Sequence, residues 1–319
     1  MDIPVFVVNG FLESGKSTFV LETIKDPEFA DGAKTLLIVC EEGEVEYDEV
    51  ELGKKNVSIV TVEEQEDLTG ELLQRLKGLY QPQRVMIECN GMWDFEEFLE
   101  LEMPDEWMLA QIITLIDATT YVNYSNNFKS IMVGLFRYSD TIIVNRCTDT
   151  TDKIAIRRTI KPVNPKAQII YESKDGVTTD AGEEVMPFDI NADFIDICDE
   201  DFGLWYMNAM DQPKAYHGKT VRFLAMVYKS NKFPKGNFVP GRFAMTCCAD
   251  DTAFIGFMCK MGNDVGPVSY DTLKSRMWVT VTAKVRVEYY KEYGGKGPVL
   301  YATKVEEASE PEEKLVYFN

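Results

Sequence analysis

The chain has 319 residues, 45% of them apolar, which is enough for two ordinary cores. Its net charge of −20 is unevenly placed: residues 1–215 carry 18 basic and 42 acidic side chains, whereas 216–319 carry 15 and 11. The acidic part argues against nucleic acid as a partner, because phosphate neutralisation needs clustered Lys and Arg, and no apolar run approaches the ~20 residues of a membrane span.

The N-terminus lacks a basic and apolar leader, and the seven cysteines have no secretory context, so reduced thiols and a cytoplasmic location are expected. His217 is the single histidine, which limits any zinc site to thiolates, carboxylates and at most one imidazole.

From residue 1 to 173, apolar β-rich runs alternate with helical patterns. Strands are predicted over 5–9, 35–40, 57–62, 85–89, 111–117, 141–145 and 167–171, with helices over 18–25, 65–80, 94–101, 118–133 and 151–161. Near-continuous apolar strands separated by amphipathic helices imply an α/β domain with a mostly parallel sheet covered on both faces. Ligands of such sheets sit at the carboxyl ends of strands, where Gly10, Glu88, Asp117 and Asn145 fall.

The first strand runs into Gly10-Phe11-Leu12-Glu13-Ser14-Gly15-Lys16-Ser17-Thr18, which satisfies G-x-x-x-x-G-K-S/T between a strand and a helix. A glycine-rich turn aims backbone N–H groups of residues 13–18 at phosphate oxygens, and the helix that begins there adds its positive dipole end. Lys16 is then the cation for the β- and γ-phosphates, and the Ser17 hydroxyl a ligand of Mg²⁺. Such a loop needs a carboxylate at a later strand end and a loop that reads the base. Arg84-Val85-Met86-Ile87-Glu88-Cys89-Asn90-Gly91 ends a buried strand in an acid, with Gly91 spaced to sense a γ-phosphate; Asn145-Arg146-Cys147-Thr148-Asp149 is a variant of the guanine-reading N-K-x-D.

Residues 174–214 change character, with Asp175-Gly176, Asp180-Ala181-Gly182 and an acidic run over 193–201, and are expected to form a connector with a short docking segment. From 215 to 319 the pattern is all β. Five strands over 221–229, 242–247, 253–259, 278–290 and 299–306 fit a small Greek-key barrel of the oligonucleotide/oligosaccharide-binding (OB) type. Adjacent Cys247 and Cys248 point to opposite faces of a strand, so both can hold one metal only where the strand bends, as Ala249-Asp250-Asp251 allows; Cys259 or His217 would add a ligand. The alternative is a buried core thiol with Arg242 paired to Asp250 to brace the barrel. Tyr289, Tyr290 and Tyr293 with nearby lysines could stack a single strand, though barrel-finishing aromatics are the commoner use of such residues.

The order of these pieces resembles the CobW family, in the class of P-loop GTPases that includes the HypB and UreG metallochaperones. The likeness runs over residues 1–172 and is carried by the Gly10–Thr18 loop, Cys40-Glu41-Glu42-Gly43-Glu44-Val45-Glu46-Tyr47-Asp48, Ile87-Glu88-Cys89-Asn90-Gly91-Met92, Thr114-Leu115-Ile116-Asp117-Ala118, the Asn145 loop and Val163-Asn164-Pro165-Lys166-Ala167. It implies Mg²⁺-dependent binding of GTP and GDP, slow hydrolysis and a role in handling a metal such as Zn²⁺, with a metal-receiving protein as partner. Relatives carry a C-x-C-C metal motif where this chain reads Val60-Thr61-Val62-Glu63-Glu64-Gln65-Glu66-Asp67, without cysteine. Cys40, Glu41, Glu44 and Asp48 could supply replacement ligands or form a switch segment that follows nucleotide state. Arg146 in place of lysine, and Asp149 one position late, leave guanine selectivity expected. Residues 216–319 resemble the C-terminal domain of YcgQ-like proteins through Tyr216-His217-Gly218-Lys219-Thr220-Val221, Gly241-Arg242-Phe243 with Cys247-Cys248-Ala249-Asp250, Trp278-Val279-Thr280-Val281 and Gly297-Pro298-Val299-Leu300-Tyr301-Ala302. That family accompanies a predicted permease, so a nucleotide-sensing regulator or docking protein for a permease is the competing expectation, ahead of a nucleic-acid-associated NTPase.

Overall fold

A computed structural model of the chain describes residues 2–41, 43, 45–182, 185–245, 252–262 and 265–318. The backbone divides into two units, Met1–Gly182 and Glu183–Asn319.

The first unit is an eight-stranded sheet: β1 (Ile3–Asn9), β2 (Thr35–Val39), β3 (Val57–Thr61), β4 (Arg84–Glu88), β5 (Trp107–Asp117), β6 (Thr141–Cys147), β7 (Gln168–Ser173) and β8 (Gly176–Thr178), in the order β3-β2-β4-β1-β5-β6-β7-β8. The first seven strands are parallel, and β8 turns back antiparallel on β7. Alternation along the central strands feeds two cores: Val5, Val7, Leu36, Ile38, Val85 and Ile87 face one layer, whereas Val8, Leu37, Val39 and Met86 face the other. That double burial is why these strands read as continuous apolar runs. The helices are α1 (Lys16–Lys25), α2 (Glu49–Gly53), α3 (Gly70–Tyr80), α4 (Phe95–Leu99), α5 (Tyr121–Asn127), α6 (Lys129–Arg137) and α7 (Lys153–Ile160). The chain order reverses at β1, which has β4 on one side and β5 on the other, so a crevice opens at the carboxyl end of β1.

Two helices differ from expectation. Over 65–80 a single 3₁₀ turn, Gln65–Asp67, precedes α3, whose start is fixed by the Thr69 side chain accepting from the Leu72 N–H. The expected helix over 118–133 is broken at Phe128, whose ring turns toward Tyr124 and Phe11 with centroids 6.0 and 6.3 Å away.

In the second unit β9 (Phe194–Asp196), α8 (Phe202–Asp211) and α9 (Pro213–Tyr216) precede the strands β10 (Thr220–Tyr228), β11 (Asn237–Met245), β12 (Thr252–Gly256), β13 (Cys259–Met261), β14 (Trp278–Tyr290), β15 (Gly295–Glu307) and β16 (Leu315–Val316). Strands β10, β11, β13, β15 and β14 pair in that sequence and β14 returns to β10, so the ring closes and leaves those strands no free edge within it. The β13–β15 pair is parallel, and a register shift between Thr282 and Ala283 bends the long β14–β15 hairpin round the barrel. The all-β sheet expected in the C-terminal region is thus present. The segment 174–214 is divided between the units: β8 joins the first sheet, whereas β9 pairs with β10 and α8 supplies buried Phe202 and Trp205 to the barrel core. Trp205 packs 4.8 Å from Phe223 and edge-on, 5.3 Å, to Phe257.

Candidate functional site

The turn after β1 is built from backbone that few residues can follow. Gly10 and Gly15 have φ of 136° and 97°, and Gly15 is the N-cap of α1 in the left-handed region. A Cβ on Gly10 would lie 2.4 Å from the Leu115 carbonyl oxygen, and one on Gly91 would lie 2.1 Å from the Gly10 oxygen. The loops that follow β1 and β4 therefore meet backbone to backbone, which only glycine permits at Gly91. Glu13 takes φ 62° in the same turn, and the Ser14 N–H donates to the Phe11 carbonyl at 3.1 Å.

Lys16 is 4% exposed, and its ammonium has three donors to place. They go to the Gly10 oxygen at 2.8 Å, the Phe11 oxygen at 3.0 Å and Glu41 Oε2 at 2.5 Å. One residue on, the Ser17 hydroxyl donates to Glu88 Oε1 at 2.7 Å, and the Tyr47 hydroxyl donates to Glu88 Oε2. Glu88 is buried at the end of β4, and burial pushes its carboxyl above the usual range, against the Tyr47 and Ser17 donors and the Lys16 cation that favour the charged form. The Tyr47 phenol is pushed upward by its own burial and then by the Glu88 charge. Leu12, Glu13, Gly15, Lys16, Ser17, Thr18, Glu41, Gly43, Val45, Glu88 and Arg146 line an open cavity here.

The Asn145 loop braces the turn. Asn145 Nδ2 donates to the Ser14 carbonyl at 2.7 Å, and the same amide would be 2.7 Å from a Cβ on Gly15. Arg146, at φ 52°, donates to the Glu13 carbonyl at 2.9 Å and is ion-paired with Asp117. Burial opposes ionisation of Asp117, but the Thr119 hydroxyl and N–H, at 2.6 and 2.7 Å, and Arg146 outweigh it and hold the carboxyl below its usual value. Asp149 is exposed and does not line the cavity. The structure thus gathers Gly10, Glu13, Ser14, Gly15, Lys16, Ser17, Thr18, Glu88, Gly91, Asn145 and Arg146 around one turn. Sequence reasoning missed Tyr47 on Glu88 and Asp117 on Arg146; Tyr47 lies inside the 40–48 motif, where a hydroxyl 41 positions from an acid gives no local sign of pairing.

Among the described residues, the expected ligands of a transferred metal are engaged otherwise or buried, Glu41 being paired with Lys16 in this site. Cys40 is buried in the core, and burial, followed by the Glu88 and Glu41 charges, pushes its thiol up to about 12, which suits packing and not ligation. Asp48 caps α2 by accepting from the Glu51 N–H at 2.9 Å; Glu44 lies outside the described residues. Cys247, Cys248 and Asp250 also lie outside them. Cys259 is a core thiol of the barrel, pushed up to about 12 by burial, and His217 uses Nδ1 to accept from the Val287 N–H at 3.1 Å. Among the described residues no group of three or more His, Cys, Asp and Glu side chains could hold a metal ion. Buried Arg242 is braced by residues the sequence did not suggest, donating to the Glu313 carbonyl at 2.7 Å and pairing with Asp199 at 3.4 Å. Tyr293 is equally structural: its hydroxyl accepts from the Met258 N–H at 2.9 Å and donates to the Pro298 carbonyl at 3.2 Å.

With that geometry in place, residues 4–171 match the family model of the CobW/HypB/UreG nucleotide-binding domain. This chain belongs to that family. Residues 172–318 match the DUF1980 C-terminal domain. The UPF0703 protein YcgQ of Bacillus subtilis (strain 168) is 24% identical over 123 residues, 39% of this chain and 41% of that protein, so the match spans less than half of the curated relative. Among solved structures, the Zn(II)-bound YjiA GTPase from E. coli is similar over 76% of this chain and 86% of that one, with 20% identity and a TM-score of 0.41. The hydrogenase maturation factor HypB from Archaeoglobus fulgidus is similar over 56% and 85%, with 17% identity and a TM-score of 0.36. The CobW/HypB/UreG unit is the α/β sheet described above, and among the described residues no helix is long and apolar enough to cross a membrane.

Proposed function

We propose that this CobW/HypB/UreG-family chain binds GTP and GDP with Mg²⁺ at the turn after β1, hydrolyses GTP slowly, and couples nucleotide state to the handling of a metal such as zinc, which is cargo and not a resident cofactor. The observation that carries the reading is the convergence of Lys16, Ser17 and Glu88 on one cavity at the crevice beside β1. The donor set fits the ligands: a buried ammonium and a left-handed glycine turn suit phosphate, and a hydroxyl beside a carboxylate suits a hard cation that takes oxygen ligands. When bound, Mg²⁺ neutralises charge on the β- and γ-phosphates.

The chain's residues take these parts. Lys16 supplies a fixed positive charge to the phosphates, and the N–H groups of residues 13–18 cradle the diphosphate. Ser17 and Glu88 hold the ion, and the Gly91 N–H reports the γ-phosphate. Asn145 and Asp149 read guanine, with Arg146 holding the turn beneath them. Among the described residues the carboxylates lining the cavity are Glu13, Glu41 and Glu88, and the last two are already engaged with Lys16 and Ser17. Among the described residues that arrangement gives no dedicated group to orient an attacking water, which supports slow, partner-stimulated turnover.

Thermal melting and calorimetric titration of the full chain with GDP and GTP in the presence of Mg²⁺ test the reading, with a rise in Tm expected by linkage. A folded sample that binds no purine nucleotide removes it. Steady-state turnover with and without Zn²⁺ then separates a metal-coupled GTPase from a regulator in which GTP only sets a conformation.

A further inference from the structure

Three residues of the 40–48 segment sit on three parts of the phosphate site. Glu41 takes one of the three donors of Lys16, the other two being fixed on backbone carbonyls of the turn itself. Tyr47 takes the Glu88 oxygen that Ser17 leaves. Between them, a Cβ on Gly43 would lie 3.7 Å from the Ser17 hydroxyl oxygen. An ammonium has no fourth donor, so a phosphate oxygen can engage Lys16 only by taking a place now held. Glu41 is the one partner that is a side chain, and its negative charge beside a nucleotide phosphate would be repelled.

We propose that the Glu41 and Tyr47 side chains are internal competitors for the nucleotide site, with Glu41 standing where a phosphate oxygen engages Lys16 and Tyr47 standing on the carboxylate that serves the ion. Nucleotide and Mg²⁺ would displace the two side chains together. The inference rests on the nucleotide reading above and adds its regulation. It also explains the residue types: a carboxylate mimics phosphate toward Lys16, and a phenol O–H occupies a Glu88 oxygen that would otherwise be open to the ion.

The test compares the wild-type chain with Glu41→Gln and Tyr47→Phe by thermal melting and by calorimetric titration with GDP at fixed and varied Mg²⁺. Removing the Glu41 charge leaves a buried ammonium with a weaker partner, so the nucleotide-free variant melts lower, yet it binds GDP about tenfold tighter because the competitor is gone. Tyr47→Phe reaches half-saturation at several-fold lower Mg²⁺. A purely bracing role for Glu41 predicts the lower Tm with affinity unchanged or reduced, and that result overturns the proposal. Should Glu41→Gln fail to fold, Tyr47→Phe decides alone, an unchanged Mg²⁺ dependence overturning it. If the wild-type chain binds no guanine nucleotide, the nucleotide reading itself falls, an outcome distinct from wild-type binding with variants that behave alike.

Discussion

At the residue scale, Lys16 is held by neighbours whose own positions depend on it. Burying an ammonium is tolerable only because all its donors are satisfied and a carboxylate lies beside it. Lys16→Met should therefore abolish the Tm increase given by GDP with Mg²⁺, as read by differential scanning fluorimetry; a retained increase would place the phosphate elsewhere. Asp117 offers a pH signature in the same loop cluster. Its carboxyl is held below its usual value in the folded chain, so the unfolded chain binds more protons and stability rises with pH across that interval. The contribution is complete above the unfolded value of about 4 and is lost as pH falls through the folded one. Asp117→Asn should flatten the acid limb of the Tm-versus-pH curve relative to wild type. Parallel curves for the two proteins would show that Arg146 and Thr119 do not stabilise the charged form.

At the level of elements, two contacts show how position is enforced between segments far apart in sequence. The Gly91 loop lies against the Gly10 carbonyl, so Gly91→Ala must push one loop away from the other. Overpacking of this kind costs about 1–3 kcal/mol, and here the displaced group is the backbone of the phosphate turn. GDP affinity should fall at least tenfold in calorimetry, whereas a variant that binds normally would mean the loops separate without disturbing the turn. In the second unit α8 is apolar nearly all round and packs Phe202, Trp205 and Ala209 into the barrel's core, with Trp205 against Phe223 and Phe257. Trp205→Ala should lower the stability of that unit by about 3–5 kcal/mol, measured by chemical denaturation of the full chain. A loss well under 1 kcal/mol would mean α8 is peripheral to the core.

For the whole molecule, the open question of chemistry is which base the site prefers. Asn145 reaches the phosphate turn through the Ser14 carbonyl, so the loop proposed to read the base is braced against that turn. A site built to hydrogen-bond guanine rejects adenine strongly, because the wrong base leaves buried polar groups unpaired. GDP should bind at least tenfold tighter than ADP in calorimetric titration; equal affinities would mean that Arg146 and the late Asp149 have cost the loop its selectivity. The uneven charge has a parallel in the fold, since the acidic run over 193–201 is not a free tail: β9 pairs with β10 inside it, and Asp199 reaches buried Arg242.

What the sequence determined by itself was local. The glycine, lysine and serine of the phosphate turn stand within nine residues, and strands buried on both faces announce themselves as apolar runs, so the loop, the parallel α/β unit and the all-β unit were legible from adjacent residues. Only the tertiary structure decided the partners. Glu41 meets Lys16 across 25 positions, Tyr47 meets Glu88 across 41, and Asn145 meets Ser14 across 131, pairings that depend on which strand lies beside which. The barrel makes the same point: β12 and β13 read as one strand, and α8 as linker, because ring closure and the filling of a core are set by volumes and hydrogen bonds between distant segments, which no window of neighbouring residues contains.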